Sequence, residues 1–142
     1  MKKHDKLKLE LESKSINEGF ARAAVAAFAA RLDPSIEELN DLKTAVSEAV
    51  TNCIVHAYPD EIGGIQILCR AFEDAIEIRV RDHGRGIPDV PKAREPLYTT
   101  GGEDRSGMGF TVMESFMDEL RVRSRPGVGT TVTMVKRIRP RK

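Results

Sequence analysis

The sequence feature that most constrains the fold is a long amphipathic segment that ends near residue 58 of the 142-residue chain. Its apolar residues recur at three- and four-residue steps, which is the spacing of one face of a helix. They are Leu39, Leu42, Val46, Ala49, Val50, Cys53 and Ala57. Glu48, Asn52 and His56 are four residues apart and therefore share a second face. Pro59 ends the predicted helix, because proline disfavours helical geometry in the residue before it.

The polar face of this helix has two interpretations. A glutamate one turn before an asparagine is usually solvated, since charged helical faces mostly contact water. If the face lines a pocket instead, Asn52 can ligate Mg²⁺ through its amide oxygen and Glu48 can accept a proton. His56, on the last turn, is interpreted as a structural residue of the helix end. The choice for Glu48 and Asn52 depends on the glycine segments that follow.

Two elements are predicted before this helix. Leucines alternate with charged side chains over residues 5–12, which is typical of a half-buried strand. Ser15 and Glu18 have the spacing of a capping box and predict the start of a helix. Its inward stripe is expected to be Phe20, Ala23, Ala24, Ala27, Phe28 and Leu32. The next helix begins with either Asp33 as its cap or Ser35, paired with the glutamate three residues later.

Strand and helix patterns return after the long helix. Residues 65–69 and 76–80 alternate and are joined by a short acidic turn, which predicts an antiparallel hairpin. From 82 to 106 the periodicity stops, and a loop of that length is usually functional. A helical stripe over 110–120 and two strands around the turn Arg125-Pro126-Gly127 follow.

Because strands and helices are grouped rather than alternating one for one, the predicted class is α+β. We expect a two-layer sandwich of a mixed β-sheet with about three helices on one face, forming one domain over residues 1–142. The 23 basic and 22 acidic residues give a net charge of +1, which argues against nucleic acid as a partner. No apolar run has the length of a membrane span, and Cys53 and Cys69 lack C-x-x-C spacing. A cytoplasmic protein with no membrane partner, two buried thiols and a solvated basic tail at 136–142 is expected.

The first glycine segment, Asp82-His83-Gly84-Arg85-Gly86, follows a predicted strand. Two glycines separated by one residue allow the backbone to approach a ligand closely. A carboxylate at such a strand end can accept a hydrogen bond from an exocyclic amino group, which adenine has where guanine has a carbonyl oxygen. An ordinary turn is the alternative interpretation, because the motif alone is weakly specific.

The second glycine segment, Arg105-Ser106-Gly107-Met108-Gly109, opens a predicted helix. Free N–H groups at a helix start attract anions, and Arg105 adds a positive charge there. A Walker A motif is excluded because Met108 occupies the lysine position, and a dinucleotide fingerprint is excluded because its third glycine is missing. Gly129-Thr130 is a third, smaller candidate, a turn leading into a strand with a hydroxyl that could reach a base.

The order of these segments resembles the ATP-binding fold of the GHKL superfamily, which includes gyrase-type ATPases, histidine kinases and MutL. The matching motifs are Glu48-x-x-x-Asn52 on a helix, Asp82-x-Gly84-x-Gly86 after a strand, Gly107-x-Gly109 opening a helix, and Gly129-Thr130. The match covers nearly the whole chain. Within the superfamily, residues 47–58, 96–100 and 105–110 resemble the small serine kinases that are bacterial anti-sigma factors, the sporulation branch more than the general-stress branch.

The resemblance implies a Mg-ATP site. It makes Glu48 the general base, Asn52 the Mg²⁺ ligand and Asp82 the reader of adenine. Arg105 is expected to act catalytically at the terminal phosphates, within a lid formed by residues 88–106. The nucleotide-contacting residues implied are Asn52, Asp82, Gly84, Gly86, Thr99, Ser106, Gly107, Met108, Gly109 and Thr130.

The same resemblance implies two activities and two partners. The chain would transfer the γ-phosphoryl group of ATP to a serine of an anti-anti-sigma protein, and as a homodimer it would bind and inhibit a sporulation sigma factor. Asn17, Glu18 and Arg22 match a surface that the family uses for partner docking. His83 and Gly101-Gly102 depart from the family pattern, the first at the base pocket and the second toward a looser lid.

Other functions remain as alternatives. One is a general-stress anti-sigma kinase, and another is a sigma-binding module that uses ATP as a ligand without phosphoryl transfer. The catalytic domain of a two-component histidine kinase is disfavoured, because none of His4, His56 and His83 has the setting of a phosphoacceptor on a dimerisation helix.

Overall fold

The computed structural model describes residues 3–95 and 109–139, which form strands and helices in the predicted groups. The strands are β1 Lys3–Glu12, β2 Gly64–Phe72, β3 Ala75–Asp82, β4 Glu119–Arg125 and β5 Gly129–Arg137. The α-helices are α1 Ile16–Ala29, α2 Ile36–Asn52, α3 Val90–Ala93 and α4 Gly109–Phe116. A 3₁₀ turn at Ala30–Leu32 follows α1, and a π turn at Cys53–Ala57 follows α2.

The five strands of the described residues form one sheet in the order β1-β2-β3-β5-β4, and each neighbouring pair is antiparallel. The α+β class is confirmed, but the sheet is antiparallel rather than mixed. β3 and β4 do run in the same direction, as expected for strands joined through a helix. They are not neighbours, however, because β5 is inserted between them and pairs with both.

The core lies between one face of the sheet and the helices α1, α2 and α4. Alternate residues of β2 and β3 are fully buried there, including Ile65, Ile67 and Ile78, while the residues between them are partly exposed. Each such isoleucine contributes about 1.5–3 kcal/mol by leaving water. Cys53 and Cys69 are buried free thiols, as predicted, and burial raises the pKa of Cys69 to about 12.

The two predicted helix starts have different outcomes. Ser35 and Glu38 form a complete capping box, with hydrogen bonds of 3.0 and 2.8 Å, so Ser35 rather than Asp33 is the cap of α2. The capping box predicted at Ser15 is wrong. Ser15 already has helical dihedrals, whereas a capping residue needs an extended backbone, and the Glu18 carboxylate pairs with Arg22 instead.

The predicted inward stripe of α1 is confirmed for Phe28, which is buried, and for Leu32, which packs against the core, but the rest of it is out of phase. Phe20 is 56% exposed, and Ala23 and Ala27 face outward with it. The buried residues of α1 are Ala21, Val25, Phe28 and Ala29. The face of α1 that packs against the core is rotated by about one residue from the predicted face. Its small alanine side chains allow the helix to approach its neighbours closely.

Tyr58, which follows the π turn, forms hydrogen bonds with the start of β2 and with the residue after β3. Its hydroxyl accepts a hydrogen bond from the His83 N–H (2.6 Å) and donates one to the Gly64 carbonyl oxygen (2.9 Å). The ring packs against Gly63 so closely that a Cβ at that glycine would overlap it, whereas a Cβ at Gly64 would meet nothing within 4 Å.

Gly63→Ala should therefore lower the free energy of unfolding by about 1–3 kcal/mol, the usual cost of overpacking. The matched variant Gly64→Ala should change it by less than about 0.5 kcal/mol. Urea unfolding of both variants measures the difference. Equal losses in the two variants would contradict the packing of the Tyr58 ring against Gly63.

Candidate functional site

A cavity of about 330 Å³ lies between the C-terminal part of α2 and the strands β3 and β5. Its walls are mainly apolar, with Ala49 from α2, Val80 from β3, Phe110 from α4 and Val132 from β5. An apolar cleft of this size into which a few polar groups converge is the usual form of a small-molecule site.

The π turn that ends α2 forms one side of the cavity. In this turn the Tyr58 N–H donates to the carbonyl oxygen of Cys53, five residues earlier (3.2 Å). Such turns are rare and are frequent at functional sites. Asn52, Cys53 and His56 all line the cavity. His56, predicted as a structural residue of the helix end, is therefore also part of the cavity wall.

Asp82 is the buried carboxylate of the site and is 6% exposed. Its Oδ1 accepts hydrogen bonds from the N–H groups of Gly84 (2.9 Å) and Thr130 (3.2 Å), and the Cys53 thiol donates to its Oδ2 at 3.7 Å. Burial raises the pKa of the Asp82 carboxyl, although the two backbone N–H groups lower it in part. Burial and the charge of Asp82 raise the pKa of the Cys53 thiol, which therefore stays protonated and acts as a donor.

The start of β5 brings Thr130 directly opposite Asp82. The two backbones approach so closely that a Cβ at Gly129 would overlap the Asp82 carbonyl oxygen. Gly129 also has φ of +144°, a conformation that L side chains rarely adopt. The Thr130 hydroxyl lies 2.8 Å from that of Ser124 on β4. Glycine at position 129 thus permits the contact between Asp82 and Thr130.

Backbone hydrogen bonds hold the loop after β3 in place. The Arg85 N–H donates to the Ala57 carbonyl oxygen (3.2 Å), and the Gly127 N–H donates to the Arg85 carbonyl oxygen (2.7 Å). Gly86 has φ of +76° and lines the cavity. Gly84, in the same loop, faces the π turn, and a Cβ there would overlap the carbonyl oxygen of Ala57. The two glycines of the motif therefore have different positions, one at the cavity and one supporting it.

Asn52 lies half-buried at the end of α2, with its side chain on the cavity. Gly109, the first residue of α4, lies against it, and a Cβ there would be only 3.1 Å from the Asn52 Oδ1. The glycine keeps the space beside this amide open. Glu48 is half-buried one turn earlier on α2, but the lining formed by the described residues does not include it. The structure thus brings Asn52, Asp82, Gly86 and Thr130 together, with Glu48 beside them.

This arrangement fits a Mg²⁺ ion that is shared with the phosphates of a ligand. In such sites the protein supplies one or two oxygens, and phosphates and water supply the others. The Asn52 Oδ1 is an oxygen of this kind, beside a space that a Cβ at Gly109 would fill. Among residues 3–95 and 109–139 no group of three His, Cys, Asp or Glu side chains could hold a metal alone.

Part of the predicted site lies outside the described residues. This applies to residues 96–106 of the predicted lid and to five site residues: Thr99, Arg105, Ser106, Gly107 and Met108. The described beginning of the lid contains α3, whose cap Asp89 accepts a hydrogen bond from the Lys92 N–H (3.1 Å). Arg94 then forms an ion pair with Glu114 of α4 (3.4 Å).

The residues predicted to dock partners lie together at the start of α1. The Asn17 side chain donates to the Glu12 carbonyl oxygen (2.8 Å). Arg22 pairs with Glu18 (2.6 Å) and donates to the Ser47 hydroxyl of α2 (3.2 Å). These contacts hold α1 to its neighbours, and partner docking at this surface stays a prediction.

Sequence reasoning missed Cys53, Arg85 and Ser124. Cys53 follows Asn52 by one residue and so lies at the border between the apolar and polar faces of the helix. This position could have indicated that its side chain reaches the site. Arg85 stands between the two glycines of the motif and lines the cavity. Ser124 carried no local signal, because its contact with Thr130 depends on the register of β4 and β5.

Comparison with known proteins agrees with this architecture. The family model of the histidine kinase-like ATPase domain matches residues 11–136. The RsbU and RsbW domains of a Mycobacterium tuberculosis protein align with a TM-score of 0.69 and 22% identity, over 95% of this chain and 32% of that one. The mycobacterial sensor histidine kinase MprB aligns with a TM-score of 0.58 and 16% identity, over 95% and 100%. These two structures share the fold.

Relatives with higher sequence identity are more specific. The anti-sigma F factor of Caldanaerobacter subterraneus subsp. tengcongensis is 58% identical over 139 residues, 97% of this chain and 97% of its own length. That of Clostridium novyi is 57% identical over 137 residues, 95% and 96% of the two chains. The fold and the family match together define an ATPase domain of the histidine kinase-like class. Within this class the chain belongs to the anti-sigma F factor family, which confirms the predicted resemblance.

Within residues 3–95 and 109–139, no helix is both long and apolar enough to cross a bilayer.

Proposed function

We propose that this chain is an ATP-dependent protein-serine/threonine kinase that also binds and inhibits a sporulation sigma factor. Its phosphorylation substrate would be a serine of an anti-anti-sigma protein. The family match supports ATP as the nucleotide, and the anti-sigma F factor relatives support a sigma factor as the partner. The observation that carries the proposal is that Asn52 and the buried Asp82 carboxylate face one cavity.

Asp82 would recognise the adenine base. Its Oδ1 is occupied by two backbone N–H groups, which fix the plane of the carboxylate and leave Oδ2 for an exocyclic amino group. The apolar side chains of Val80, Phe110 and Val132 would cover the faces of the base. A site built around a buried acceptor discriminates strongly against ligands that lack the matching donor.

Asn52 and the start of α4 would hold the phosphates. Mg²⁺, when bound with ATP, supplies neutralisation of the phosphate charge, and Asn52 would be its protein ligand. N–H groups at the helix start, including Gly109, and the predicted contact of Arg105 would orient the terminal phosphates. Glu48 would take the proton of the attacking serine hydroxyl.

The second proposed activity is sequestration of the sigma factor by a homodimer of this chain. The start of α1, with Asn17, Glu18 and Arg22, is the surface proposed for docking, because these half-buried polar residues are fixed by contacts to neighbouring elements. Phosphorylation of the anti-anti-sigma protein would remove a competitor for this chain. A general-stress sigma factor is the alternative partner.

A nucleotide-dependent binding module without phosphoryl transfer is the second candidate function. It is favoured by one observation: the part of the cavity lining that residues 3–95 and 109–139 form does not include Glu48. Incubation of the chain with Mg²⁺, γ-labelled ATP and candidate anti-anti-sigma proteins separates the two. Label on one serine, lost when that serine is replaced by alanine, supports the kinase. ATP binding without label on any candidate supports the module.

Asn52→Ala is expected to raise the dissociation constant for ATP at least tenfold in the presence of Mg²⁺ and to change it little in EDTA, because the variant loses the metal ligand. Isothermal titration with and without Mg²⁺ measures both values. Asn40→Ala, an exposed position on the same helix, is the matched control and should bind like wild type. Unchanged Mg-ATP affinity in Asn52→Ala would refute the ligand role.

A further inference from the structure

The hydroxyl of Ser124 joins three segments behind the cavity wall. It accepts a hydrogen bond from the Ile87 N–H (2.7 Å), lies 3.1 Å from the Gly129 carbonyl oxygen and lies 2.8 Å from the Thr130 hydroxyl oxygen. Ile87 and Thr130 both line the cavity. Ser124 therefore contacts the loop after β3 and the start of β5 at once, without being part of the lining itself.

Counting hydrogens fixes the direction of these three bonds. A serine hydroxyl has one hydrogen and two lone pairs. A carbonyl oxygen can only accept, so the Ser124 hydrogen points to Gly129. The Ile87 N–H occupies one lone pair, and Thr130 must therefore donate its own hydroxyl hydrogen to the other. The Thr130 hydroxyl then presents only lone pairs to the cavity.

The neighbouring Asp82 carboxylate also presents hydrogen-bond acceptors. Asp82 lies opposite Thr130, and its Oδ2 carries lone pairs beyond the one that the Cys53 thiol uses. Asp82 and Thr130, here called the base corner, therefore offer acceptors and no side-chain donor. A buried acceptor is stabilised by a ligand donor and is unfavourable beside a ligand acceptor.

We propose that Ser124 is a specificity-determining residue, which orients the Thr130 hydroxyl so that it accepts a hydrogen bond from the group at position 6 of a bound purine. With Asp82 accepting the second hydrogen of a 6-amino group, the base corner would prefer a 6-amino purine nucleotide to a 6-oxo purine nucleotide. The inference rests on the nucleotide binding proposed above and extends it to a residue outside the lining. Without Ser124 the Thr130 hydroxyl loses its acceptor, turns toward the cavity and can donate to a 6-oxo group. Ser124 acts through Thr130 and is thus a positioning residue.

The test compares the dissociation constants of ATP and inosine triphosphate, measured with Mg²⁺ by calorimetry on the full chain. Ser124→Ala should lower the ratio of the inosine triphosphate constant to the ATP constant about tenfold, since one acceptor becomes a donor. Ser124→Thr keeps the hydroxyl and should keep the ratio within about twofold of wild type. If Ser124→Ala is too unstable to titrate, Ser124→Cys, a weak donor and acceptor, should change the ratio in the same direction.

Ser13→Ala is the matched control for the loss of a structural hydroxyl. Ser13 is buried, its hydroxyl accepts a hydrogen bond from the Gly63 N–H (2.9 Å), and it does not line the cavity. This variant should leave the ratio unchanged even where its melting temperature falls. Equal weakening of ATP and inosine triphosphate in Ser124→Ala would overturn the role of Ser124 and leave nucleotide binding standing. A wild-type chain that binds neither nucleotide would overturn the proposed function itself.

Discussion

Glu48→Gln is expected to lower the rate of serine phosphorylation by about 10²–10⁴-fold, the usual contribution of a positioned general base. The affinity for ATP should stay within about twofold of wild type, because Glu48 lies one turn from Asn52 and outside the described cavity lining. The amide has nearly the same shape as the carboxylate but cannot take the proton of the attacking hydroxyl. Single-turnover transfer from labelled ATP to the anti-anti-sigma protein measures the rate.

A matched control is available on the same helix. Glu37 lies exposed in the first turn of α2, and Glu37→Gln removes an equal charge far from the end of the helix. It should transfer phosphate at the wild-type rate. Transfer by Glu48→Gln at that same rate would show that another group accepts the proton, and the assignment of Glu48 would be wrong.

Asp82→Asn is expected to weaken ATP binding by about 10²-fold or more. The amide oxygen can replace Oδ1 and accept the two backbone hydrogen bonds from Gly84 and Thr130. The amide nitrogen then takes the place of Oδ2 and presents a donor where the adenine amino group also presents one. Calorimetric titration of ATP measures the loss, and Asp60→Asn on the exposed turn after the π turn is the control.

The same variant should be at least as stable as the wild-type chain at neutral pH. Burial raises the pKa of Asp82, so the ionised carboxylate destabilises the folded state above the ordinary carboxyl pKa. The contribution of Asp82 to the wild-type free energy of unfolding should accordingly fall as the pH rises from that ordinary value through the raised one. Glu38, whose pKa is lowered, acts in the opposite direction in both proteins, so wild type should lose stability relative to Asp82→Asn over this range. Urea unfolding at acid and neutral pH measures this difference in stability.

For the binding prediction, an Asp82→Asn variant that binds ATP with wild-type affinity would contradict the role of Asp82 in reading the base.

The parts of the fold that were predicted correctly depend on local patterns. The alternation of β1, β2 and β3 and the capping box at Ser35 are set by residues a few positions apart. The face of α1 was misplaced because its six alanines give little contrast between inside and outside. Tertiary packing, which buries Ala21 and exposes Phe20, decides that face.

The candidate site shows the same limit. Spacing along α2 indicated Asn52, and the glycine motif indicated Asp82, because each lies within one short segment. The hydrogen bond from Cys53 to Asp82 joins residues 29 positions apart, whereas the contact between Ser124 and Thr130 spans six positions across the turn between β4 and β5. The first depends on how the end of α2 packs against β3 and the second on the register of β4 and β5, and the periodicity of the chain encodes neither.

The position of β5 between β3 and β4 also bears on how the protein is made. A nascent chain that has left the ribosome only as far as β4 contains Asp82 and the whole of α2. It still lacks Gly129 and Thr130, and with them one of the two N–H donors that hold the carboxylate. Pairing of β3 with β5 joins residues about 50 positions apart, and such contacts form late and slowly. A nucleotide bound as proposed would therefore find the second N–H donor to Asp82 in place only after β5 has paired with β3.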